Sequence, residues 1–520
     1  MILEALRRNP QRSRVATPKN IQTPVKGLIA LENKSVHVPG AALILENFFP
    51  KADTVILRGG HDEHSDTAET VPVNTLMPYH GTSANKLFAV CNDTIYDATS
   101  STASATTVTT LSTSKCNFVN FTTSGGTYLF MVNGADTAKH YNGTAWATPS
   151  ITGTTSDNFN YVAVFKGRLY FVVNNSLEFA YLPVNSVAGA ASTFNLGDVF
   201  NKGGNLVAIG TWTHDGGTGA DDHIVFLTSQ GQVAVYQGSD PSDANAWALV
   251  GVYELARPLG ARCLERVGGD LYVNTELGIL PMSQALKLDA AALGGVAVTR
   301  NIAPLLNEAA SRYKSNFGWQ MIAAPKHSMA VVNVPISEGV QQIQYVMNSQ
   351  TGAWCKFTGL NAACWGVMDG TLYFGGNDGK VYRAFETASD NGSDIIGDML
   401  TTYYDFGAPS RLKSWKLIKP MIYGRSTVQP LIGLNVDYVE TAPTGTIEAG
   451  SSATYLWGGT TWGGGLWSGG LALSAKWRPI TDRPGYVAGV RMKVSASGSG
   501  SPLLLQVNGF DITYEVGGVM

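Results

Sequence analysis

One strand phrase recurs through this chain, and that recurrence limits the folds open to it more than any other feature. The phrase is a turn followed by a strand centred on an aliphatic residue, usually with Tyr or Phe beside it. It reads Lys86-Leu87-Phe88-Ala89-Val90, Gly126-Thr127-Tyr128-Leu129-Phe130 and Gly167-Arg168-Leu169-Tyr170-Phe171. It returns as His223-Ile224-Val225-Phe226-Leu227, Gly269-Asp270-Leu271-Tyr272-Val273 and Gly370-Thr371-Leu372-Tyr373-Phe374. The centres at 87, 129, 169, 225, 271 and 372 lie 42, 40, 56, 46 and 101 residues apart, and Met329-Ala330-Val331-Val332 stands inside the last, doubled gap. A second strand often follows, as in Thr94-Ile95-Tyr96-Asp97, Gln232 to Tyr236 and Lys380-Val381-Tyr382-Arg383. Four-stranded propeller blades repeat at about 40–50 residues, so the spacing predicts an all-β chain with a β-propeller of six or seven blades over 66–390. An irregular stack of hairpins is the competing reading. Tyr141 to Trp146 and Tyr345 to Trp354 resemble the turn-then-Trp ending of kelch-type blades.

Helical periodicity is nearly absent; Gly40 to Asn47, Ser283 to Leu293 and Ile302 to Tyr313 are the best helix candidates. Charged residues make up 14% of the 520, against roughly 25% in an average soluble domain. The net charge of −3 excludes a polycation built to grip nucleic acid. The longest apolar runs, Ala41 to Leu45 and Leu503 to Leu505, are too short to span a bilayer. Cys91, Cys116, Cys263, Cys355 and Cys364 are too few for a disulfide framework and read as buried small hydrophobes. The first residues, Met1 to Arg8, put a short apolar run before the charges, the reverse of a secretory signal. Yet the Thr/Ser-rich stretch Ala98 to Lys115 has the composition of extracellular β proteins. Release inside a virus particle and a leaderless secretion route both fit that combination.

Beyond Phe385 the rhythm changes. Thr387 to Gly397 reads as a linker and 391–520 as a second β domain, with strands at Leu417 to Tyr423, Leu431 to Tyr438, Ala488 to Ser495 and Leu503 to Asn508. Its segment 455–470 carries Trp457, Trp462 and Trp467 at five-residue spacing among glycines, which suits neither a helix face nor a strand face. These indoles are expected to anchor an intersubunit or connector contact. At the other end, an arm over 1–26 carries Arg7, Arg8, Arg12, Arg14, Lys19 and Lys26 against one acid, Glu4. A neighbouring subunit or connector protein is expected to hold it.

Catalytic signatures are missing. There is no Gly-x-Ser-x-Gly, His-Glu-x-x-His, Cys-x-x-Cys or Walker loop, and Gly375 to Lys380 reads as a hairpin turn. His61-Asp62-Glu63-His64 reads as a loop with a structural role rather than a metal site. Oxygen-bearing residues over 214–223 make only a weak calcium candidate. A propeller hydrolase would need two converging carboxylates, Glu254 with Glu276 for example. Tyr170, Tyr272 and Tyr373 occupy equivalent blade positions and read as core. The expectation is a chain that is not an enzyme, with no cofactor, metal or small-molecule substrate.

Three stretches near the start carry a family resemblance: Gly27-Leu28-Ile29-Ala30, then Ala41 to Pro50 ending in Asn47-Phe48-Phe49-Pro50, then Val55-Ile56-Leu57-Arg58-Gly59-Gly60. With the Trp/Gly-rich segment, they resemble structural proteins of short-tailed double-stranded DNA phages, and the repeat is similar to the propeller of their tail nozzles. The resemblance covers about fifty residues at the start and thirty near the end. It implies a β-sandwich-like platform built from 27–65 and 391–520, with the propeller inserted between them. It further implies a ring, hexameric by analogy, below a head-to-tail connector or adaptor protein. Tail fibre or spike proteins would be neighbours, and genomic DNA would pass through the lumen without sequence-specific binding. The site would be virion interfaces, with Arg7, Arg8, Arg12, Arg14, Phe48, Phe49, Trp457, Trp462 and Trp467 as candidates. A propeller adhesin or glycan-binding tail protein is the alternative.

Overall fold

The computed structural model describes residues 16–30, 33–215, 220–424, 428, 430–443, 472–480, 484–498 and 502–517. Every copy of the recurring phrase, Met329 to Val332 included, forms the second strand of an antiparallel meander. The turns before it use left-handed residues such as Gly126, Gly167, Gly268 and Gly370, where a Cβ is costly. The meanders form a β-propeller. Its five full blades take their strands from 73–105, 117–147, 159–195, 206–254 and, for the last, 362–387; a sixth sheet over 264–281 has three strands. A further meander, 320–357, completes the ring, its inner strand Gln320–Ala324 lying between Leu264–Val267 and Ala362–Met368.

Alternate residues of each phrase serve opposite faces, and both faces are buried. Leu129 and Met131 pack with Met77 and Phe88 of the preceding blade. Phe130 and Val132 pack with Phe159 and Phe171 of the following one. Tyr170 and Val172 then turn to Phe226 and Trp247 of the next. The interfaces are aromatic: Phe130 lies 5.4 Å from Phe171 and Phe179 stacks on Phe226 at 4.5 Å. Two buried faces explain why these strands are apolar without a break, although they belong to antiparallel sheets.

The ring closes through a strand from far away in sequence. Gly60–Asp66 pairs with Lys380–Thr387 and supplies the outer strand of the last blade. The sequence-derived boundary at 65 therefore moves: residues 60–66 belong to the propeller. His61 to His64 lie on this strand and not in a loop, because pairing with Lys380–Thr387 extends the backbone and the flanking glycines fit close contacts. At Gly60 a Cβ would come within 1.9 Å of the Ser389 carbonyl.

The two ends of the chain meet in a second group of strands. Thr17–Gln22 and Val55–Leu57 both pair with Leu505–Val516, which pairs in turn with Lys413–Gly424. Residues 17–22 of the basic arm are thus a strand held by the chain's own C-terminal segment. Ala42–Glu46 lies between Trp354–Phe357 of the propeller and Ile395–Thr401. One eight-stranded sheet therefore runs from the propeller meander 320–357 out to Ala488–Ala496 and Leu431–Val436.

Gly40 to Asn47, the first helix candidate, is this central strand. A short apolar run bounded by Gly and Asn suits a buried strand as well as a helix, and pairing on both edges decides it. The third candidate is a helix over Ala303–Tyr313, and the second breaks into short turns at Met282–Ala285 and Ala290–Ala292. All five cysteines are buried and free. No helix among the described residues is long and apolar enough to cross a membrane.

Two glycines with matching backbone test the closure. Gly370 and Gly379 have φ of +74° and +79°, but a Cβ at 370 meets nothing within 4 Å while one at 379 lies 2.0 Å from the Glu69 carbonyl. Gly370→Ala should cost only the left-handed strain, about 1–2 kcal/mol. Gly379→Ala should cost clearly more, because the clash pushes the closing blade off the turn at 67–69, whose Thr67 hydroxyl donates to the Gly379 carbonyl. Urea unfolding of the two variants side by side checks this.

Candidate functional site

Three positions concentrate buried polar groups. The first is the seam where the closing blade meets the strands from the chain ends. Arg58 follows the apolar strand Val55–Leu57 and is completely buried. All five of its N–H groups are used. Nε donates to Asn47 Oδ1 at 2.9 Å, Nη1 to the Gly59 carbonyl and Asp390 Oδ1, and Nη2 to the Thr358 carbonyl and Asp390 Oδ2 at 2.6 Å. Asn47, itself left-handed at φ +57°, donates through Nδ2 to the Ile396 carbonyl and to Thr358 Oγ1. His61 Nδ1 lies 3.1 Å from Asp390 Oδ1. Burial alone would raise the Asp390 carboxyl, but hydrogen bonds from Arg58 and His61 outweigh it and hold its pKa below the usual carboxylate range. The two ends of the Asn47-to-Arg58 motif thus meet each other, and Arg58 in turn pairs with an aspartate from the polar stretch read as a linker.

Beside this seam lies the second position, a cavity of about 480 Å³ between Phe49, Ile56, Phe385 and Leu503, with Lys51, Lys326 and His327 among its polar lining. Its size is that of a small-molecule site. Lys326 is paired with Glu386 at 2.7 Å, and burial lowers the His327 pKa.

The third position is the propeller axis. Arg262 reaches across it from the start of the 264–281 sheet: Nη2 donates to the Asn74 carbonyl, Thr75 Oγ1 and the Cys116 carbonyl at 2.8–3.0 Å. Its guanidinium lies 5.0 Å from the Phe317 ring centre. It borders two small cavities, of about 190 and 200 Å³. Glu265 lines the first and accepts the Ala323 N–H at 3.0 Å. The residue is part-buried, and the burial of its carboxyl pushes its pKa up to about 7. Sequence reasoning missed Arg58, Asp390, Arg262 and Glu265. The one signal for Arg58 was a lone cation between a buried strand and a glycine pair.

The sequence-derived sites fare differently. Phe48 and Phe49 are buried in the main core, at 0% and 1% exposure. They are corrected from interface candidates to core residues, because the short hairpin Phe48–Pro50/Val55–Leu57 is covered by neighbouring strands. Arg7, Arg8, Arg12, Arg14, Trp457, Trp462 and Trp467 lie outside the described residues. So does the tip, 216–219, of the weak calcium candidate, and no group of three or more metal-ligating side chains occurs among the described residues. His61 and His64 are three apart on a strand and so face opposite sides; His64 lies against Tyr373. Glu254 and Glu276 do not form a pair: each is bound to its own lysine, Lys202 and Lys314.

These features define a β-propeller protein whose ring is tied to a second set of strands by a buried ionic network. No family model matches the chain, and no curated protein matches it. Solved structures similar to it include YCF48 bound to D1 peptide, 11% identical over 67% of this chain and 99% of that one, at a TM-score of 0.39. The β-propeller domain of Cps50 (Swd1) from Myceliophteria thermophila is 12% identical over 63% of this chain and 100% of that one, at 0.39. BBS1N in complex with ARL6DN is 12% identical over 64% and 98%, at 0.39.

Removing the seam cation should be costly. Arg58→Met takes away the bidentate cation and leaves the enclosed Asp390 with His61 as its remaining side-chain partner, for an expected loss of about 3 kcal/mol at pH 7. The Asp390 pKa is depressed in the fold, so its stabilising share is present above the unfolded carboxylate value near 3.9 and is lost as pH falls through the folded one. The gap between Arg58→Met and wild type in urea unfolding should therefore narrow below about pH 4.

At Glu265 the sign is opposite. A folded pKa of about 7 against an unfolded value near 4.5 means that the folded state holds the proton longer. Wild type should lose stability relative to Glu265→Gln as pH rises from about 4.5 to 7, by up to about 3 kcal/mol. Melting curves of both proteins across that range check it.

Proposed function

We propose that this chain is a structural virion protein, the tail nozzle of a short-tailed double-stranded DNA phage. In this reading it forms a ring, taken as six copies, below the head-to-tail connector and conducts the genome at ejection. The observation that carries the proposal is topological. The propeller is an insertion between Val55–Leu57 and Ile395–Thr401, and the segments on either side pair with each other. That is the arrangement the opening motif implies: a β platform from both chain ends with a propeller projecting from it. The eight-stranded sheet and the Arg58–Asp390 pair would make the two parts a single stiff body, as a load-bearing tube wall requires.

Charge supports the same reading. Each phosphate neutralised by Lys or Arg adds affinity through counterion release, so a conduit must present few cations to a passing duplex. With 36 Lys+Arg against 39 Asp+Glu, and most described cations paired with a carboxylate, the chain suits a surface along which DNA slides. Tail fibres or spikes would attach outside the ring.

Light scattering of the full-length protein tests the proposal. The expected result is a ring-sized species, six chains of 55.3 kDa or about 330 kDa, or a monomer that assembles only on a connector. Deleting residues 1–15 asks whether the arm serves assembly while leaving Thr17–Gln22 and its pairing intact. The protein should not retard duplex DNA at moderate salt. A stable monomer that ignores connectors and binds glycans would overturn the nozzle in favour of an adhesin.

A further inference from the structure

The axial cavity poses a question that the nozzle reading leaves unanswered. Glu265 is a part-buried carboxylate on the cavity wall, and among the described residues no Lys, Arg or His stands within ion-pair distance of it. Buried charges are ordinarily paired, because an uncompensated one is expensive. Arg262 borders the same cavity, yet its recorded acceptors are two carbonyls and a hydroxyl, and its face rests on Phe317. It does not pair with Glu265.

Glu265 has one structural task, accepting the Ala323 N–H on the inner edge of Gln320–Ala324. Only Oε1 serves it. The amide oxygen of a glutamine would do the same without a charge, so capping that N–H does not account for an acid here. Oε2 has no protein hydrogen-bond partner, and the residue lines the cavity. Phe118, Tyr161 and Trp365 line the same space, which at about 190 Å³ is roughly six times the volume of a water molecule in the liquid.

A single carboxylate beside aromatic side chains is the chemistry that recognises organic cations, the acid supplying the counter-charge and the rings their negative faces. We propose that the cavity beside Glu265 binds a small organic monocation, a primary or methylated ammonium. Its charge pairs with Glu265 Oε2, and its carbon body lies against Phe118, Tyr161 and Trp365. Arg262 lines the same cavity and limits the charge to one, since a dication would meet a fixed guanidinium. The site is contained in one chain and is independent of ring formation.

The test is calorimetric titration of the full-length protein with methylammonium and tetramethylammonium chlorides, with sodium chloride at equal ionic strength as the blank. One of the two should bind in the millimolar range or tighter and raise the melting temperature. Affinity should rise up to about ten-fold from pH 6 to pH 8, as Glu265 gives up its proton across a pKa near 7. Glu265→Gln should abolish binding at both pH values while folding normally. Tyr161→Leu should weaken binding several-fold with Glu265 intact. If Glu265→Gln fails to fold, the wild-type pH dependence decides, since only an ionising partner in this range produces it. No binding of either cation above the sodium blank, equal binding by a folded Glu265→Gln, or affinity flat with pH would each overturn the proposal.

Discussion

A ring of blades is stable only once it is closed, and here closure depends on pairing two segments more than 300 residues apart. Gly60–Asp66 must find Lys380–Thr387 to give the last blade its fourth strand. The entropic cost of joining ends grows only slowly with loop length, by about 0.6 kcal/mol per doubling, so the distance in sequence is tolerable. What the pairing needs is a specified register. The ion pairs Arg383–Asp62 and Lys380–Glu63 (2.6 Å) span the two strands, and both draw on the run His61 to His64. That run is therefore polar for a structural reason, and its resemblance to a metal motif follows from its place on a solvent-facing edge.

Closure also decides where the chain ends go. The strand that closes the ring directly follows the hairpin Phe48–Pro50/Val55–Leu57, so the hairpin must sit at the rim of the last blade. The segment leaving that blade begins at the same place and continues through Asp390 into Ile395–Thr401. Arg58 stands at this crossing and bonds to groups from both segments and to the Thr358 carbonyl of the neighbouring meander. A hydrophobic pair of similar volume would hold the crossing about as well. A fork with five directional donors adds a single permitted arrangement of three segments.

The propeller was legible in the sequence because its strands are buried on both faces. That burial makes each phrase apolar, aromatic and bounded by turn residues, a pattern visible without any partner strand. All seven phrases, including the one at 329 found only as a gap in the spacing, are second strands of meanders. The closing strand was not legible. His61 to Asp66 is polar, short and separated from its blade by the whole ring, so nothing local announces it. Gly40 to Asn47 misled for the opposite reason: an apolar run of this length has no period that separates a helical turn from a central strand. Phe48 and Phe49 looked like anchors only because the strands covering them come from 341–357 and 395–401, out of reach of any reading by neighbours in sequence.

The candidate sites were illegible for a physical reason that Arg58 and Glu265 share. A site recognised from sequence needs several unusual residues at a fixed spacing, and each of these sites takes its members from separate blades or separate chain ends. Arg58 meets Asp390 across 332 positions, and Arg262 meets Thr75 across 187. The low overall charge sharpens the point. In a chain with 14% charged residues, a charge kept inside is more informative than one on the surface. Arg58 is matched by Asp390, and Arg491 by Asp398 at 2.6 Å. Glu265, part-buried, has no such match among the described residues, and the cavity next to it is the place where a partner of opposite charge would fit.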